Sequence, residues 1–461
     1  MKILIVSYYF APQNIIGSVR PTKLAKYLAR MGHDVTVVCG VGRNVETDPK
    51  LENDLQELRD VHIVREWNPI RTWYLRKESR KQECLSSSSL TEGFSRAKPL
   101  SGEGAGRGGA SPCPPEAAAG TGNVKLSWKR KVLDAVYMYL WWLADLSFAR
   151  CAKRELKKLQ GPYDAVFSTY TPYSSHIVAR EARKSGLAKR WIADFRDEVH
   201  MNFSWQEGRR KRFMQMIRRD ADLITAVSDG FLELMDFTAQ GRVLSNGFDR
   251  EDLPQVQAEA HEGLRVVYCG QLRDSRRFMG NRDITAMFRA LRSLIDEGLL
   301  SEQELHLVYA GREGALMREY AAACGLEDCV EDHGQVSRGE SIRLQRSADI
   351  LLMASMYYQS QKGILTGKLF EYMMMEKPIV CCMKGDLPGS GVKQVLSETG
   401  MGLCCEEAAG TADEEALLAY VRRLVQLWRS GEPMLKDQNQ QAVEAYAYPG
   451  LAQTLSRWMA E

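Results

Sequence analysis

Apolar runs and helical repeats alternate along the first forty residues. Residues 3–7 form an almost continuous apolar run, which is typical of a strand buried on both faces. Leu24 and Leu28 then recur at helical spacing, and Gly32 stands where a glycine commonly ends a helix. A β-branched run at residues 35–38 predicts a second parallel strand. We therefore predict a β-α-β unit, the beginning of a doubly wound parallel sheet.

The same alternation of apolar runs and helical repeats returns after residue 160, and it predicts that the chain has two halves of similar construction. Predicted strands in the first half are 165–167, 191–193 and 223–227, and those in the second half are 264–269, 305–310, 350–353 and 379–382. The predicted fold class is α/β, with two Rossmann-like domains in tandem. The predicted domain boundaries are 1–247 and 264–444, with a linker at 248–263 and a final segment at 445–461.

A change of composition interrupts the first half between residues 84 and 123. This stretch holds a serine run at 86–89 and a glycine-rich run at 102–109, and it contains few apolar residues. Such a segment cannot bury enough apolar surface to offset the entropy lost on ordering. We therefore predict a disordered insertion in the first domain.

Overall composition excludes several classes of protein. The chain has 461 residues, and its 62 basic and 59 acidic side chains give a net charge of +3. This total lacks the large excess of positive charge that is typical of nucleic-acid-binding proteins. The eleven cysteines lack metal-ligand spacing and a disulfide pattern, so we expect buried thiols in a reducing cytosol and no structural zinc site. The N-terminus lacks a signal-peptide pattern, and no uncharged run reaches the roughly 18–20 residues that span a bilayer. We expect a cytoplasmic protein.

One local charge cluster stands out from the neutral total. Residues 125–158 contain nine basic and three acidic side chains around an aromatic centre at 137–142. Two interpretations remain open for this segment. It is either an amphipathic helix leading into the fold, or a helix that docks on an anionic membrane surface, where Trp and Tyr flanked by basic residues are favoured.

The best candidate for binding chemistry lies in the second half. Residues 363–369 look like a P-loop, but the glycine spacing is one residue short and Leu369 replaces the Ser or Thr that would bind Mg²⁺. Thr366, Gly367 and Lys368 nevertheless open a predicted helix, whose amide groups and dipole favour a phosphate. Glu371 follows one turn later and could accept two hydroxyl groups. A ligand with both a phosphate and a diol is a nucleotide, so these residues indicate a nucleotide site. The alternative interpretation is that they form an ordinary capped helix on the solvated surface.

An ordered set of short motifs resembles family 4 glycosyltransferases. The segment 367–373 followed by 376–380 is similar to the family pattern S-K-L-F-E-Y-M followed by G-K-P-V. Weaker matches to family motifs follow in the expected order at 32–37, 193–197, 221–228, 244–249, 268–270 and 347–352. Together they cover nearly the whole chain except the insertion.

The resemblance implies a GT-B fold, in which two Rossmann-like domains face each other across a cleft. A nucleotide-sugar donor would bind mainly to the second domain and the acceptor to the first, and the final segment would cross back to the first domain. The implied reaction is a retaining, metal-independent sugar transfer to a glycan or lipid-linked acceptor in surface polysaccharide assembly, with no cofactor. Two alternatives stay open: a non-catalytic nucleotide-sugar-binding partner of another transferase, and a nucleotide-sugar epimerase.

The resemblance also suggests residues for the donor diphosphate. The family places an arginine after the first strand of the second domain, where this chain has Gln271. Several arginines follow in the same loop, namely Arg273, Arg276, Arg277 and Arg282. Arg276 or Arg282 would act with Lys368 to stabilise the departing diphosphate, and Arg276 is our first choice. Glu371 occupies the second of two glutamate positions in the family, and Gly363 occupies the first. Any one arginine could instead be solvated on the surface.

The remaining candidate residues belong to the first domain. Gly17 and Arg20 occupy a loop that the family brings near the donor phosphates. Asp194, Arg196 and Asp197 follow a predicted strand, and Asp197 or Arg196 would orient the acceptor hydroxyl, unless they form a structural Asp–Arg pair.

Aromatic and histidine candidates accompany these residues. Tyr170 and Tyr173 would line the acceptor side. We expect His176 to be structural, and His200 is a weaker catalytic candidate.

Overall fold

The computed structural model describes residues 1–40, 46–65, 139, 143, 145–197, 199, 204–254, 260–272, 282–359 and 365–461, with the side chains of 204–206 left out. The described residues divide into two compact units. The first contains those up to 224 together with 459–461, and the second contains those from 225 to 458.

The first sheet has seven strands in the order β3-β2-β1-β4-β5-β6-β7. Its strands are β1 (Lys2–Ser7), β2 (Asp34–Gly40), β3 (Asp60–Val64), β4 (Ala165–Tyr170), β5 (Trp191–Phe195), β6 (Leu223–Ala226) and β7 (Gly241–Val243). The pairs from β3 to β5 are parallel. The β1 side chains Ile3 to Val6 are fully buried, which explains why this strand is apolar on both faces.

Helices connect these strands in the pattern of a doubly wound sheet. They are α1 (Ile16–Arg30), α2 (Pro49–Leu55), α3 (145–156), α4 (Ser174–Lys184), α5 (Ser204–Asp220) and α6 (Asp229–Leu234). Gly32 has a φ of +83° just beyond α1, which is the left-handed conformation that a glycine adopts at low cost.

The second sheet has six strands, and every neighbouring pair is parallel. Its strands are β8 (Leu264–Cys269), β9 (Leu305–Ala310), β10 (Val330–Asp332), β11 (Ile350–Tyr357), β12 (Ile379–Gly385) and β13 (Gly402–Glu406). The order β10-β9-β8-β11-β12-β13 is that of a six-stranded Rossmann sheet.

Helices cover both faces of this sheet. They are α7 (Thr285–Asp296), α8 (Gly314–Ala322), α9 (Arg338–Arg346), α10 (Gly367–Met373), α11 (Gly391–Thr399), α12 (Thr411–Ser430) and α13 (Gln440–Ala445). One further helix, α14 (Tyr448–Ala460), follows α13. Val266 packs in one core cluster with Leu291 of α7, whereas the next residue, Val267, packs in another with Leu369 of α10. This alternation is what a strand buried on both sides requires.

The prediction of two Rossmann-like α/β units is confirmed. Strands 264–269 and 305–310 have the predicted limits, and the strand at 350 continues four residues further, to Tyr357. Strands β3, β7, β10 and β13 were not predicted from the sequence. The domain limits at 247 and 264 stay predictions.

Two sequence predictions fall largely outside the described residues. The insertion at 84–123 lies wholly outside them, and of the basic, aromatic segment only 139, 143 and 145–158 are described, with 145–156 helical. Among the described helices, none combines the length and apolarity needed to cross a membrane. The nine described cysteines are free thiols, of which seven are buried.

Candidate functional site

The strand order of the second sheet reverses between β8 and β11. Connections leave these neighbouring strands toward opposite sides, which opens a crevice at the carboxyl edge where α/β sheets bind ligands. The ladder between the strands extends only through Ile350–Val266 and Leu351–Val267. Beyond it, the hydroxyl of Tyr372 accepts a hydrogen bond from the Cys269 amide (3.1 Å) and donates one to the Leu352 carbonyl (3.3 Å). A buried side chain thus joins the two strands where they separate.

Lys368 lies directly at this crevice. Its ammonium group donates to the carbonyl oxygen of Cys269 and lies 5.4 Å from the centre of the Tyr372 ring. Burial lowers the pKa of Lys368, Glu371 opposes that shift, and the positive charge of Arg282 adds to it. The position therefore holds a partly desolvated cation that an anion would stabilise.

Glu371 is oriented by a side chain that the sequence did not indicate. Its Oε1 accepts a hydrogen bond from Nε2 of Gln345 at 2.8 Å, and the same amide nitrogen donates to Ser341 Oγ at 3.0 Å. Gln345 is fully buried on α9. Glu371 Oε2 has no hydrogen-bond partner within the described part of the chain, so it can accept a ligand hydroxyl.

The loop after β8 passes close to Lys368. Gly270 has a φ of +144°, and a Cβ added there would lie 2.9 Å from Lys368 Nζ. The Gly270 carbonyl accepts a hydrogen bond from the hydroxyl of Tyr309 at 3.0 Å. A glycine is required here because the conformation is left-handed and the ammonium group approaches closely.

The next two residues of this loop are also held by side chains. The Gln271 carbonyl accepts from the Tyr268 hydroxyl at 2.9 Å and from Arg282 Nη1 at 2.7 Å. The Leu272 amide donates to Glu313 Oε2 at 3.2 Å. The sequence did not indicate these roles for Tyr268 and Glu313, because their partners are backbone atoms of the loop, which carry no side-chain signal.

The structure gathers six of the predicted donor-side residues on two connected segments. They are Gln271, Arg282, Thr366, Gly367, Lys368 and Glu371. Thr366 precedes α10 in extended conformation, and its hydroxyl is buried without a hydrogen-bond partner among the described residues. The predictions for Arg273, Arg276, Arg277 and Gly363 lie outside the described residues.

In the first sheet, the corresponding reversal of strand order lies between β1 and β4. Arg20 of α1 and Asp194 of β5 form a bidentate ion pair, with Nε–Oδ2 at 3.1 Å and Nη2–Oδ1 at 2.9 Å. Arg20 is 3% exposed and Asp194 is fully buried, and Thr169 Oγ1 donates to Asp194 Oδ2 at 2.9 Å. The sequence analysis assigned these two residues to different ligands, whereas the structure joins them to each other.

Arg196 explains why residue 17 is a glycine. Its guanidinium donates to the carbonyls of Gly17 and, at 3.0 Å, of Thr171, and it lies 5.7 Å from the centre of the Tyr9 ring. A Cβ at position 17 would lie 2.5 Å from Arg196 Nη2. Burial lowers the pKa of Arg196, and the charge of Asp197 opposes that shift. Gly17 and Arg196 are therefore packed against each other.

Asp197 is the accessible carboxylate of this edge. It is 60% exposed, its Oδ2 lies 3.4 Å from Arg196 Nε, and Thr171 Oγ1 donates to it at 3.2 Å. An exposed carboxylate held by two neighbours can accept a hydrogen bond from a hydroxyl substrate.

Tyr170 and Tyr173 belong to an aromatic cluster around Phe213. The ring centre of Phe213 lies 6.4 Å from that of Tyr170 and 6.0 Å from that of Tyr173. Burial raises the pKa of Tyr173 well above its usual value, so this phenol stays neutral.

His176 lies in the same cluster, fully buried, with Nδ1 2.7 Å from Ser168 Oγ. Burial lowers the pKa of His176 to about 3, which agrees with the structural role expected of it. His200 lies outside the described residues.

Comparisons with known proteins concern the second unit most directly. Residues 263–426 match the family model described as Glycosyl transferases group 1. No curated protein sequence matches the chain. The family match covers the segment that contains Arg282, Lys368 and Glu371, and it supports a glycosyltransferase.

Solved structures resemble the chain over its whole length at low sequence identity. The N-terminal domain of trehalose-6-phosphate phosphatase from Candida albicans gives a TM-score of 0.54 at 13% identity, covering 100% of this chain and 99% of that one. Sucrose-phosphate synthase from Thermosynechococcus elongatus gives 0.47 at 12% identity, covering 99% and 98%. The calicheamicin glycosyltransferase CalG4 gives 0.42 at 13% identity, covering 100% and 97%. The first of these likenesses supports the fold that the two sheets define.

Proposed function

We propose that the protein is a glycosyltransferase that moves a sugar from a nucleotide-sugar donor to a glycan or lipid-linked acceptor. The observation that carries this proposal is the grouping of Lys368, Arg282 and Glu371 at the strand-order reversal of the second sheet, inside the segment that matches Glycosyl transferases group 1.

Lys368 and Arg282 would stabilise the departing diphosphate. That group gains negative charge in the transition state, and fixed cations in a partly desolvated site lower the barrier most effectively. Lys368 is held by the Cys269 carbonyl and the Tyr372 ring, and Arg282 is held by the Gln271 carbonyl. Because neighbouring groups already hold both cations, little reorganisation is needed when the charge develops.

Glu371 would bind hydroxyl groups of the donor. Gln345 engages one carboxylate oxygen, and the other has no hydrogen-bond partner within the described chain. The open carboxylate oxygen can accept a hydrogen bond from a ligand hydroxyl. It would repel a phosphate group, because both carry negative charge.

Asp197 would orient the acceptor hydroxyl. It is the exposed carboxylate at the carboxyl edge of β5, and Arg196 and Thr171 hold it in place. Arg20 and Asp194 would position this edge through their ion pair, without contact to the substrate.

The finer features of the proposal rest on the motif resemblance. They are retention of anomeric configuration, metal independence, a role in surface polysaccharide assembly and a cytoplasmic location, with residues 125–158 docking on an anionic membrane. Liposome co-sedimentation with anionic lipid tests the last point. Neutralising Lys129, Arg130 and Lys131 should abolish it, and unchanged binding would exclude electrostatic docking.

The direct test is incubation of the chain with a panel of UDP-, GDP- and dTDP-sugars and a membrane lipid extract, with and without a chelator. Transfer from one donor that Lys368→Ala reduces by about 10²–10³-fold and that Lys436→Ala preserves supports the proposal. Lys436 is a suitable control because it is a surface lysine paired with Glu432. Absence of donor binding at millimolar concentration would refute the proposal.

A second candidate function is a non-catalytic nucleotide-sugar-binding partner of another transferase. Gln271 favours it, because the family pattern has a phosphate-binding arginine at this position. The two candidates differ in one measurement: the partner binds donor in a Lys368-dependent manner but produces neither glycosylated product nor free nucleotide.

A further inference from the structure

A pocket lies at the opposite edge of the second sheet from Lys368. Its volume is about 600 Å³, and its lining residues are Ala260, His261, Gly263, Arg346, Ser347, Asp349, Lys377, Trp428 and Arg429. Gly263 and Asp349 immediately precede strands β8 and β11, and Lys377 lies two residues before the start of β12 at Ile379. The pocket is therefore at the amino edge of the sheet, whereas Lys368 lies at the carboxyl edge.

Positive charge dominates the lining. Arg346, Lys377 and Arg429 are cationic, of which Arg429 is paired with Glu304 at 2.8 Å, and Asp349 is the one anionic residue of the lining. The Asp349 carboxylate already accepts the Arg265 amide at 2.8 Å and lies 3.8 Å from His261 Nε2. The local charge therefore favours an anionic ligand.

Two polar groups of the pocket lack partners in the described parts of the chain. Lys377 is half-buried and makes no hydrogen bond or ion pair there, and His261 Nδ1 is buried without a hydrogen-bond partner. By contrast Lys393, also half-buried, contacts Asp413 at 2.7 Å and Glu406 at 3.5 Å. A ligand that accepts hydrogen bonds can therefore engage both groups.

We propose that this pocket binds the phosphate group of a small phosphorylated molecule. A phosphate offers several strong acceptor oxygens, which suit an ammonium, a guanidinium and an imidazole N–H. The half-buried indole of Trp428 adds an apolar face against which the ring of such a molecule packs. The volume lies within the range of small-molecule sites, about 300–1,000 Å³.

The site is independent of the proposed donor site. The two involve opposite edges of one sheet and share no residue, so both can be occupied at once. The proposal of a phosphate site at the amino edge therefore does not depend on whether the protein transfers a sugar.

Isothermal titration calorimetry on the full chain tests the proposal with inorganic phosphate, ribose 5-phosphate and, as a neutral control, ribose. We expect the two phosphates to bind and ribose not to bind. Lys377→Met should weaken phosphate binding at least about tenfold, since a hydrogen bond to a charged group contributes roughly 1.5–3 kcal/mol. Lys436→Met, outside the lining, should leave it unchanged.

Arg346→Met provides an independent variant on another element, should Lys377→Met fail to fold as judged by circular dichroism. Tighter binding of ribose 5-phosphate than of inorganic phosphate supports an esterified ligand stacked on Trp428, and equal binding supports recognition of the phosphate group alone. No binding of either phosphate at about 10 mM would overturn the proposal. The proposal would also be overturned if Lys368→Ala removed all phosphate binding while Lys377→Met left it intact.

Discussion

The guanidinium of Arg20 and the carboxylate of Asp194 form two parallel hydrogen bonds across a sequence separation of 174 residues. Both groups are buried, and Thr169 donates a third hydrogen bond to the carboxylate. The pair ties the beginning of α1 to the carboxyl end of β5. It therefore fixes the edge of the first sheet from which Asp197 projects.

We predict that Asp194→Asn destabilises the protein by about 3–5 kcal/mol, because it removes the negative charge that faces the buried Arg20 guanidinium. Urea unfolding followed by circular dichroism measures this loss. The double variant Arg20→Met/Asp194→Leu should lose less stability than the sum of the losses of Arg20→Met and Asp194→Leu measured separately, since it removes both charges of the pair together. Additive losses would contradict a coupled pair.

Lys368 provides a prediction about pH. Donor binding requires the ammonium form, and burial lowers its pKa below 10.5. As the pH rises through this lowered value the charge is lost, so donor affinity should fall at a lower pH than for an exposed lysine. Donor dissociation constants from about pH 7 to about pH 10 measure this fall. Lys368→Arg should remove the alkaline loss because a guanidinium stays charged, and the same alkaline fall in that variant would assign it to another group.

Lys368→Ala should reduce turnover by about 10²–10³-fold with a smaller effect on stability, if its charge acts mainly in the transition state. Steady-state kinetics with the best donor measures it. Equal turnover by the variant and the wild type would place the diphosphate elsewhere.

Gly17→Ala should displace the Arg196 guanidinium, because the added methyl group would lie 2.5 Å from its Nη2. We expect a loss of about 1–3 kcal/mol in stability from this overpacking, together with reduced turnover. Thermal unfolding and kinetics measure the two effects. Gly208→Ala is the matched control, since a Cβ there meets no atom of the described residues within 4 Å and alanine favours the surrounding helix. Equal behaviour of the two variants would contradict close packing at Gly17.

His176 should make the protein sensitive to acid. Its pKa is about 3 in the folded protein, against 6.5 for an unperturbed histidine such as that of the unfolded chain. At a pH between these two values, the unfolded chain binds a proton that the folded protein excludes. Stability should therefore fall as the pH decreases below 6.5, by at most about 1.4 kcal/mol per pH unit from this group. Unfolding free energies of wild type and His176→Gln between about pH 5 and about pH 7.5 test it. Parallel curves would exclude His176 as the source.

The sequence predicted the parts of the fold that depend on local burial. Parallel strands covered on both faces must be apolar throughout, so 264–269 and 305–310 were predicted with their observed limits. β10 and β13 were missed because they are short and mix polar or charged residues with apolar ones.

The candidate site was predictable only where its residues are neighbours in sequence. Lys368 and Glu371 lie one helical turn apart, so the sequence showed them together. Gln345 orients Glu371 from 26 residues away, and Tyr372 reaches the Cys269 amide across 103 residues. Such contacts have no period along the chain, and no sequence pattern predicts them.

The sequence by itself determined two α/β halves and indicated a candidate phosphate site at the start of one helix, because these follow from apolar periodicity and adjacent residue types. Only the tertiary structure decided that Arg20 pairs with Asp194 and that His261 and Lys377 share a pocket. The physical reason is that parallel strands bring together, at each edge of a sheet, loops that lie far apart in the chain. Which side chains meet there depends on strand order and register.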